Sequence, residues 1–273
     1  MRIALYQGEP VSNGFAEAQR RLVDICAAAT AHAAQLLVLP EMFLTGYNIG
    51  AAAVRAAAEP LDGAMLTHLM SIARRNGIGI LAGFPERAAD GRIHNSVALV
   101  DAQGSLRAVC RKTHLYGAVD RAQFSAGSAL CPVLEFNGWR LGLAICYDIE
   151  FPELARAHAL AGAEVILTPT ANMEPYHGVA TRIVPARAEE NALFVAYANY
   201  VGSEGAFRYC GLSCVVGPDG EDLARAGTQA EMIVADLSKA HLAGIRARSS
   251  YLRDLRPELY PHLCPHDDAA DKG

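Results

Sequence analysis

Hydrophobic and polar positions along the chain follow two periodicities, which together predict alternating strands and helices. Many of the predicted strands are continuously apolar, as expected when both faces of a sheet are buried. In chain order, the predicted strands are RIALYQ, QLLVLPE, GIGILAGFPER, HNSVALVD, SLRAVCRKTHL, WRLGLAIC, EVILTPT, LFVAYANY, SCVVGPDG and EMIVADL. Amphipathic segments predict helices over about residues 15–34, 63–76, 151–162 and 178–191.

Glycine and proline mark the ends of these elements. Pro40 stops the second strand, Gly77 follows the second helix as a C-cap, and Pro152 stands at a favoured early position of the third helix. No linker, repeat or low-complexity segment interrupts the chain. We therefore predict a single α/β domain over residues 1–262, with helices covering the faces of the sheets. Residues 263–273 are predicted to form a frayed tail.

The composition is typical of a chain with a large buried core. Hydrophobic residues make up 52% of the 273 residues and charged residues 19%, which argues against disorder. The net charge of −5 predicts no surface for nucleic acid and no polybasic patch for a membrane. The N-terminal segment lacks the apolar core of a signal peptide, and no apolar run reaches the length of a membrane span. Seven scattered cysteines favour reduced thiols and a cytoplasmic location.

Four polar residues stand where predicted strands end. Glu41 follows LLVLP, and Lys112 follows LRAVCR. Cys146 follows LGLAI, and Asn172 follows EVILTPTA. A single buried Glu, Lys or Cys is commonly a packed or salt-bridged residue. Ligands of layered α/β folds bind at the carboxyl ends of strands, so four polar residues in this kind of position predict a functional site.

Cys146 lies in a sequence, LGLAICYDIEFPE, that poses a chemical problem. Three acids follow the thiol within seven residues, and carboxylates raise the pKa of a thiol and weaken it as a nucleophile. A reactive Cys146 therefore needs a cation and a base from elsewhere in the chain. Lys112 can offset the acids and stabilise an oxyanion, and Glu41 can accept the thiol proton. His114, two residues after Lys112, is the alternative base.

The sequence contains no pattern for a metal or a nucleotide cofactor. Cys210 and Cys214 are four residues apart, but no second ligand pair has the spacing of a zinc site. Neither a phosphate-binding P-loop nor the glycine fingerprint of dinucleotide-binding folds is present. We therefore predict chemistry that needs no cofactor and no metal.

Three segments resemble motifs of the nitrilase superfamily of carbon–nitrogen hydrolases. Glu41 in LPEMFLTGY, Lys112 in CRKTHLYG and Cys146 in CYDIEFPE resemble the Glu–Lys–Cys triad of that family, and the resemblance extends from residue 1 to about residue 260. It implies a four-layer α/β/β/α sandwich that associates into homodimers or larger homo-oligomers. It also implies a second acid after the lysine, and Asp120 stands where family members usually carry Glu.

The resemblance further implies hydrolysis of a small-molecule amide through an acyl-thioester. Cys146 would attack the carbonyl carbon, Glu41 would move the proton, and Lys112 and the backbone N–H of Tyr147 would hold the oxyanion. The segments are most similar to a branch of bacterial amidases, which makes 5-aminopentanamide the leading substrate expectation. Aliphatic or stereoselective amide hydrolysis, nitrile hydrolysis and N-carbamoyl hydrolysis use the same triad and stay open. A catalytically silent scaffold on the same fold is the alternative of a different class.

A 5-aminopentanamide substrate carries an ammonium group far from its carbonyl. Because an unpaired buried cation is costly, the pocket is expected to provide an acid or a cluster of oxygens beyond an apolar tube. Glu174, in TANMEPY, is the predicted acid, with a solvated loop acid as the alternative interpretation. Tyr47, Asn172 and Tyr176 are the predicted residues of the pocket wall.

Overall fold

The computed structural model of the chain describes residues 1–260. Its strands are β1 (Arg2–Gln7), β2 (Leu36–Val38), β3 (Gly79–Arg87), β4 (Ile93–Val100), β5 (Leu106–Arg111), β6 (Leu134–Phe136), β7 (Trp139–Leu143), β8 (Val165–Pro169), β9 (Phe194–Ala198), β10 (Ser203–Glu204), β11 (Phe207–Arg208), β12 (Cys214–Val216), β13 (Asp222–Arg225) and β14 (Glu231–Asp236). Its α-helices are α1 (Gly14–Ala31), α2 (Ala51–Ala57), α3 (Ala64–Asn76), α4 (Gly117–Gln123), α5 (Pro152–Leu160), α6 (Val184–Asn191) and α7 (Lys239–Arg248). Shorter turns are the 3₁₀ turns Cys146–Glu150 and Pro257–Leu259 and the π turn Val179–Ile183.

Two six-stranded sheets form the centre of the fold. The first has the strand order β14-β1-β2-β3-β4-β5 and the second has the order β13-β12-β9-β8-β7-β6, while β10 and β11 form a separate hairpin. Strands β1, β2 and β3 are mutually parallel, and so are β7, β8 and β9; the other neighbours are antiparallel. The carboxyl ends of the parallel strands therefore lie together at one edge of each sheet.

The side chains of each sheet divide between an inner and an outer face. In β1, Ile3 packs into the core between the two sheets, whereas Ala4 packs into the core that includes helices α1 and α3. In β8, Leu167 belongs to the inner core and Ile166 packs into the core formed with α5 and α6. The layers therefore run helix, sheet, sheet, helix, and the expected α/β/β/α sandwich is confirmed.

The predicted elements are present, most of them with shorter bounds. The strand predicted over WRLGLAIC ends at Leu143, because the chain turns sharply before the 3₁₀ turn that begins at Cys146. The helix predicted over residues 178–191 begins as a π turn and continues as α6. Gly77 adopts the left-handed conformation after α3, with φ of 60°, as predicted for a C-cap.

Some elements were not predicted, and some predictions lie beyond the described residues. Helices α2 and α4 each have only seven residues, which is too short to display a helical period. The predicted domain boundary at residue 262 and the predicted tail over 263–273 lie outside residues 1–260. Within those residues, no helix is long and apolar enough to cross a bilayer.

Candidate active site

The predicted strand-end residues lie together where the carboxyl ends of the parallel strands of the two sheets approach each other. Glu41 comes directly after β2 and Pro40, and its backbone N–H donates to the carbonyl oxygen of Thr170, just after β8, at 3.2 Å. Lys112 directly follows β5, and its N–H donates to the carbonyl of Asn95 in β4 at 2.8 Å. The first bond ties Glu41 to the second sheet, and the second bond ties Lys112 to the neighbouring strand of the first sheet.

A fully buried cation joins two buried carboxylates at this point. The Nζ atom of Lys112 lies 2.8 Å from Oε1 of Glu41 and 2.7 Å from Oδ2 of Asp120. All three side chains are completely inaccessible to solvent. Such a pair of contacts restricts both the position and the charge of the ammonium group, because a buried ion is stable only when it is paired.

Two further side chains hold the carboxylates in place. Asn95 Nδ2 donates to Oε1 of Glu41 at 2.6 Å, and the Tyr47 hydroxyl donates to Oδ1 of Asp120 at 2.8 Å. The Tyr47 ring also faces the ammonium of Lys112, with Nζ 5.6 Å from the ring centroid. Oε2 of Glu41 has no hydrogen-bond partner among the described residues. The Cys146 thiol lies close enough to Glu41 to act to lower its pKa.

Cys146 begins the 3₁₀ turn, and its backbone is in the left-handed region with φ of 49°. A non-glycine residue in this region is strained, and such strain is common where a side chain must be aimed at a site. Asp148 stabilises the turn, because its Oδ2 accepts from the N–H of Ile145 at 3.1 Å. Its Oδ1 accepts from the N–H groups of Thr113 and His114 at 3.2 and 2.8 Å, directly after Lys112. One buried carboxylate thus ties the nucleophile turn to the lysine segment.

Burial is the largest influence on the pKa of each reacting group. It raises the pKa of the Glu41 carboxyl, although Lys112 opposes the rise. It also raises the pKa of the Cys146 thiol well above its ordinary value, and Glu41 adds to that effect. Burial acts to lower the pKa of Lys112, but Glu41 and Asp120 outweigh it and the pKa lies well above its ordinary value. Burial thus favours the neutral form of the thiol, whereas the two carboxylates favour the charged form of the ammonium.

A cavity of about 290 Å³ opens onto Cys146. Four of its lining residues are tyrosines. The Tyr116 ring lies edge-on to the rings of Tyr147 and Tyr176, with centroid distances of 5.5 and 6.2 Å. Tyr47 lies on the side of the cavity next to Lys112. The complete lining consists of Tyr47, Tyr116, Cys146, Tyr147, Glu150, Asn172, Met173 and Tyr176. The predicted wall residues Tyr47, Asn172 and Tyr176 and the predicted Tyr147 therefore border the same space as the thiol.

The three acids after Cys146 occupy three different environments. Asp148 is buried and used by the turn, and Glu153 is exposed at the start of α5. Glu150 alone of the three lines the cavity. His114, the alternative base, does not: its ring stacks on Phe151 at 3.9 Å and its Nδ1 lies 2.9 Å from Oδ1 of Asp148.

The prediction for Glu174 needs a correction. Its side chain is 45% exposed, does not line the cavity, and lies 3.4 Å from Nε of Arg208. The Glu174 N–H also donates to the Arg208 carbonyl at 2.8 Å, so the residue is held at the surface beside β11. Two residues earlier, Asn172 does line the cavity, and its amide is fixed by donating to the Tyr176 carbonyl at 3.0 Å. The chain turns away from the cavity between these two positions.

Several residues of the site escaped the sequence reasoning. Asn95 lies in a segment whose pattern predicts only a strand, and the sequence marks Asp148 and Glu150 only as negative charge near the thiol. Thr170 contributes its hydroxyl to the surroundings of the Cys146 sulfur and lowers the pKa of the thiol. Only the polar interruption of HNSVALVD could have singled out Asn95. Among residues 1–260, no cluster of three or more His, Cys, Asp or Glu side chains is arranged to hold a metal ion.

Sequence comparison finds relatives over nearly the whole chain. Residues 2–247 match the family described as carbon-nitrogen hydrolase. A protein of Pseudomonas protegens, named as a hydrolase in the pqqF 5' region, is 51% identical over 263 residues, which cover 96% of this chain and 92% of that protein. An (R)-stereoselective amidase from Pseudomonas sp. is 38% identical over 247 residues, which cover 90% of this chain and 87% of that protein.

Structure comparison finds the same architecture in an amidase from Nesterenkonia sp. AN1. Its structure matches with a TM-score of 0.83 and 34% sequence identity, covering 96% of this chain and 99% of that chain. That structure is of a glutamate-to-glutamine mutant and shows the result of Michael addition of acrylamide at the active-site cysteine. A second structure, of a cysteine-to-alanine mutant of the same amidase, has the same TM-score and is a complex with butyramide. Both structural matches cover 96% of this chain.

Proposed function

The chain belongs to the carbon-nitrogen hydrolase family, and from this premise we propose that it hydrolyses short primary amides through an acyl-thioester on Cys146. The observation that carries the proposal is the position of the Cys146 thiol, at the end of an enclosed cavity and beside a Glu41 carboxylate already paired with Lys112. The Nesterenkonia amidase, with its active-site cysteine and its butyramide complex, supports the same reaction class for this chain.

In the acylation step, the sulfur of Cys146 attacks the amide carbonyl carbon and its proton passes to Glu41. The carbonyl oxygen becomes an oxyanion, which the Lys112 ammonium and the backbone N–H of Tyr147 stabilise. Tyr147 is the second residue of a short turn, where an N–H has no acceptor within the helix. Removing one such donor typically costs about 10²–10³ in rate. The protonated Glu41 then gives its proton to the leaving nitrogen, and ammonia departs.

In the deacylation step, Glu41 removes a proton from water and the resulting hydroxide attacks the thioester carbon. The C–S bond breaks, the acid leaves, and the thiolate recovers its proton from Glu41. Asp120 keeps Lys112 charged and positioned throughout, because its two oxygens are held by Lys112, Tyr47 and the Tyr116 N–H. The reaction is thus complete with the side chains of the chain and one water molecule.

As the finer assignment we propose 5-aminopentanamide as the preferred substrate. The sequence segments that resemble bacterial amidases of this specificity support it, and the volume of about 290 Å³ suits a small linear amide. Stereoselective or general aliphatic amidase activity is the alternative, as are nitrile and N-carbamoyl hydrolysis by the same thiol. A panel of primary amides, the matching nitriles and N-carbamoyl amino acids separates these activities by the ammonia that each substrate releases.

The covalent step is tested by replacing the nucleophile. We expect Cys146→Ala to lose all measurable ammonia release, and Cys146→Ser to be nearly inactive, because Glu41 is a weak base for a hydroxyl. Intact-protein mass spectrometry after rapid quenching is expected to show the acyl adduct on the wild type only. Cys26→Ala, which removes a buried thiol of α1, is the control. Full activity of Cys146→Ala would refute the mechanism.

We also propose that the chain forms a homodimer or a larger homo-oligomer, as its family resemblance implies. Light scattering coupled to size-exclusion chromatography measures the assembly directly. A monomer at all accessible concentrations would contradict the proposal.

A further inference from the structure

We infer that Glu150 determines substrate selectivity by binding a cationic group at the end of the amide remote from its carbonyl. The inference rests on the proposed function and adds the class of substrate, a linear amide with a terminal ammonium. It also replaces Glu174, which lies outside the cavity, as the acid that such a substrate requires.

Glu150 is placed at the cavity by the main chain. It is the last residue of the turn that begins at Cys146, so nucleophile and acid belong to one rigid element. Arg187 of α6 fixes this end of the turn by donating from Nε to the Ile149 carbonyl at 3.1 Å and from Nη2 to the Glu150 carbonyl at 2.7 Å. The remaining Nη1 of Arg187 lies 3.2 Å from the carboxylate of Glu190.

The Glu150 carboxylate is left without a protein partner. Arg187 binds its carbonyl rather than its side chain, and no other described residue donates to or forms an ion pair with the carboxylate. The Glu150 side chain is half-buried, and a carboxylate that loses part of its hydration without gaining a partner is destabilised. Burial raises the pKa of Glu150, although the charges of Lys112 and Arg187 oppose the rise. A cationic ligand in the cavity would supply the missing partner.

The rest of the lining suits the same ligand. Glu150 is the one formally charged side chain among the eight lining residues. The nearby Lys112 does not line the cavity and is paired with Glu41 and Asp120. Tyr116, Tyr147 and Tyr176 add aromatic surfaces, which attract cations through the ring quadrupole. A carboxylate within an aromatic wall favours an ammonium group over an anionic or purely apolar substituent.

A second role for Glu150, as a proton carrier for Cys146, makes a different prediction. A proton carrier would affect every amide equally, whereas a cation site affects only amides that carry the charge. Two substrates of the same length separate the two roles: 5-aminopentanamide, which ends in an ammonium, and hexanamide, which ends in a methyl group. The informative quantity is the ratio of their kcat/KM values.

The experiment compares Glu150→Gln, which keeps the shape and removes the charge, with Glu150→Asp, which keeps the charge. We expect Glu150→Gln to reduce the ratio about 10–100-fold, as expected for a lost hydrogen bond between charged groups, and Glu150→Asp to retain most of it. Glu174→Gln, an equal change of charge outside the cavity, is the control and is expected to leave the ratio unchanged. A ratio within threefold of wild type in Glu150→Gln would overturn the inference.

A binding measurement separates failure of the inference from failure of the proposed function. Calorimetric titration of 5-aminopentanamide into Cys146→Ala, with and without Glu150→Gln, reports the cation site without any turnover. If the wild type releases no ammonia from either amide but Glu150→Gln weakens binding, the proposed function is refuted and the cation site is supported. Active wild type with equal binding by both variants would refute the site alone.

Discussion

Gly83→Ala is expected to displace the proposed base without touching any reacting group. Gly83 lies in β3, directly beneath the backbone that follows Glu41. A Cβ atom at this position would lie 2.2 Å from the backbone nitrogen of Met42 and 3.0 Å from the carbonyl carbon of Glu41. The same segment is held to β3 by the Leu44 N–H, which donates to the Gly83 carbonyl at 3.0 Å. Only glycine permits this approach.

The size of the effect follows from these distances. Ordinary contact with a Cβ atom begins at 3.4 Å, so the Met42 backbone must retreat by about 1.2 Å, the difference from 2.2 Å. A misplacement of about 1 Å can cost about 100-fold in rate, and we expect a loss of this order in kcat. Forcing an extra carbon into a packed interior also costs about 1–3 kcal/mol in the free energy of unfolding.

The assay measures kcat for a primary amide together with the thermal midpoint of unfolding. The matched control is Gly244→Ala in α7, where an added Cβ meets no heavy atom within 4 Å. This control is expected to retain full kcat and to gain about 0.5–1 kcal/mol from helix propensity. If Gly83→Ala keeps kcat within threefold of wild type, the close approach does not position Glu41 and the reasoning is refuted.

Three further predictions follow from the charged cluster. Lys112→Arg is expected to lose about 10²–10³ in kcat, because a planar guanidinium does not fit the compact site between the two carboxylates; substantial activity would mean that only positive charge is needed. Asp148→Asn is expected to lower the free energy of unfolding by about 1–3 kcal/mol, because the amide group would place a donor against a backbone N–H from which Asp148 accepts a hydrogen bond. Urea titrations measure this loss, and Glu153→Gln at the exposed start of α5 is the control. The acid limb of the profile of kcat/KM against pH is expected above 4.5, the ordinary pKa of Glu, because activity needs ionised Glu41 and is lost as pH falls through its raised pKa; a limb below that value would contradict the proposed base.

The positions of the reacting groups were predictable because they depend on where strands end. Apolar runs that stop at Glu41, Lys112 and Cys146 place these side chains at sheet edges, whatever the remaining chain does. Their mutual distances were not predictable from the pattern, since they depend on main-chain bonds between sequence-distant segments. The bond from Glu41 to Thr170 is one of these, and the bond from Lys112 to Asn95 is another.

On the substrate side of the site, the sequence did not predict which acid lines the cavity. Glu150 and Glu174 are both acids close to a strand end, and nothing in their neighbouring residues ranks one over the other. The choice is made by side-chain direction: Arg187 anchors the turn so that Glu150 points into the cavity, whereas pairing with Arg208 holds Glu174 at the surface. Helix α6 supplies the first anchor and strand β11 the second, and both lie far along the chain.

The acids around Cys146 are compatible with catalysis because they have separate tasks. Asp148 accepts hydrogen bonds from the N–H groups of Ile145, before the turn, and His114, in the lysine segment, and we assign Glu150 to binding of the substrate. Glu41 contributes to the rise in the thiol pKa and is also the proposed acceptor of the thiol proton. Because burial and Glu41 both raise the pKa of the thiol, we expect its proton to move to Glu41 as the sulfur attacks. In the proposed mechanism, Cys146 therefore becomes reactive only when an amide carbonyl lies beside Lys112, whose charge stabilises the developing oxyanion.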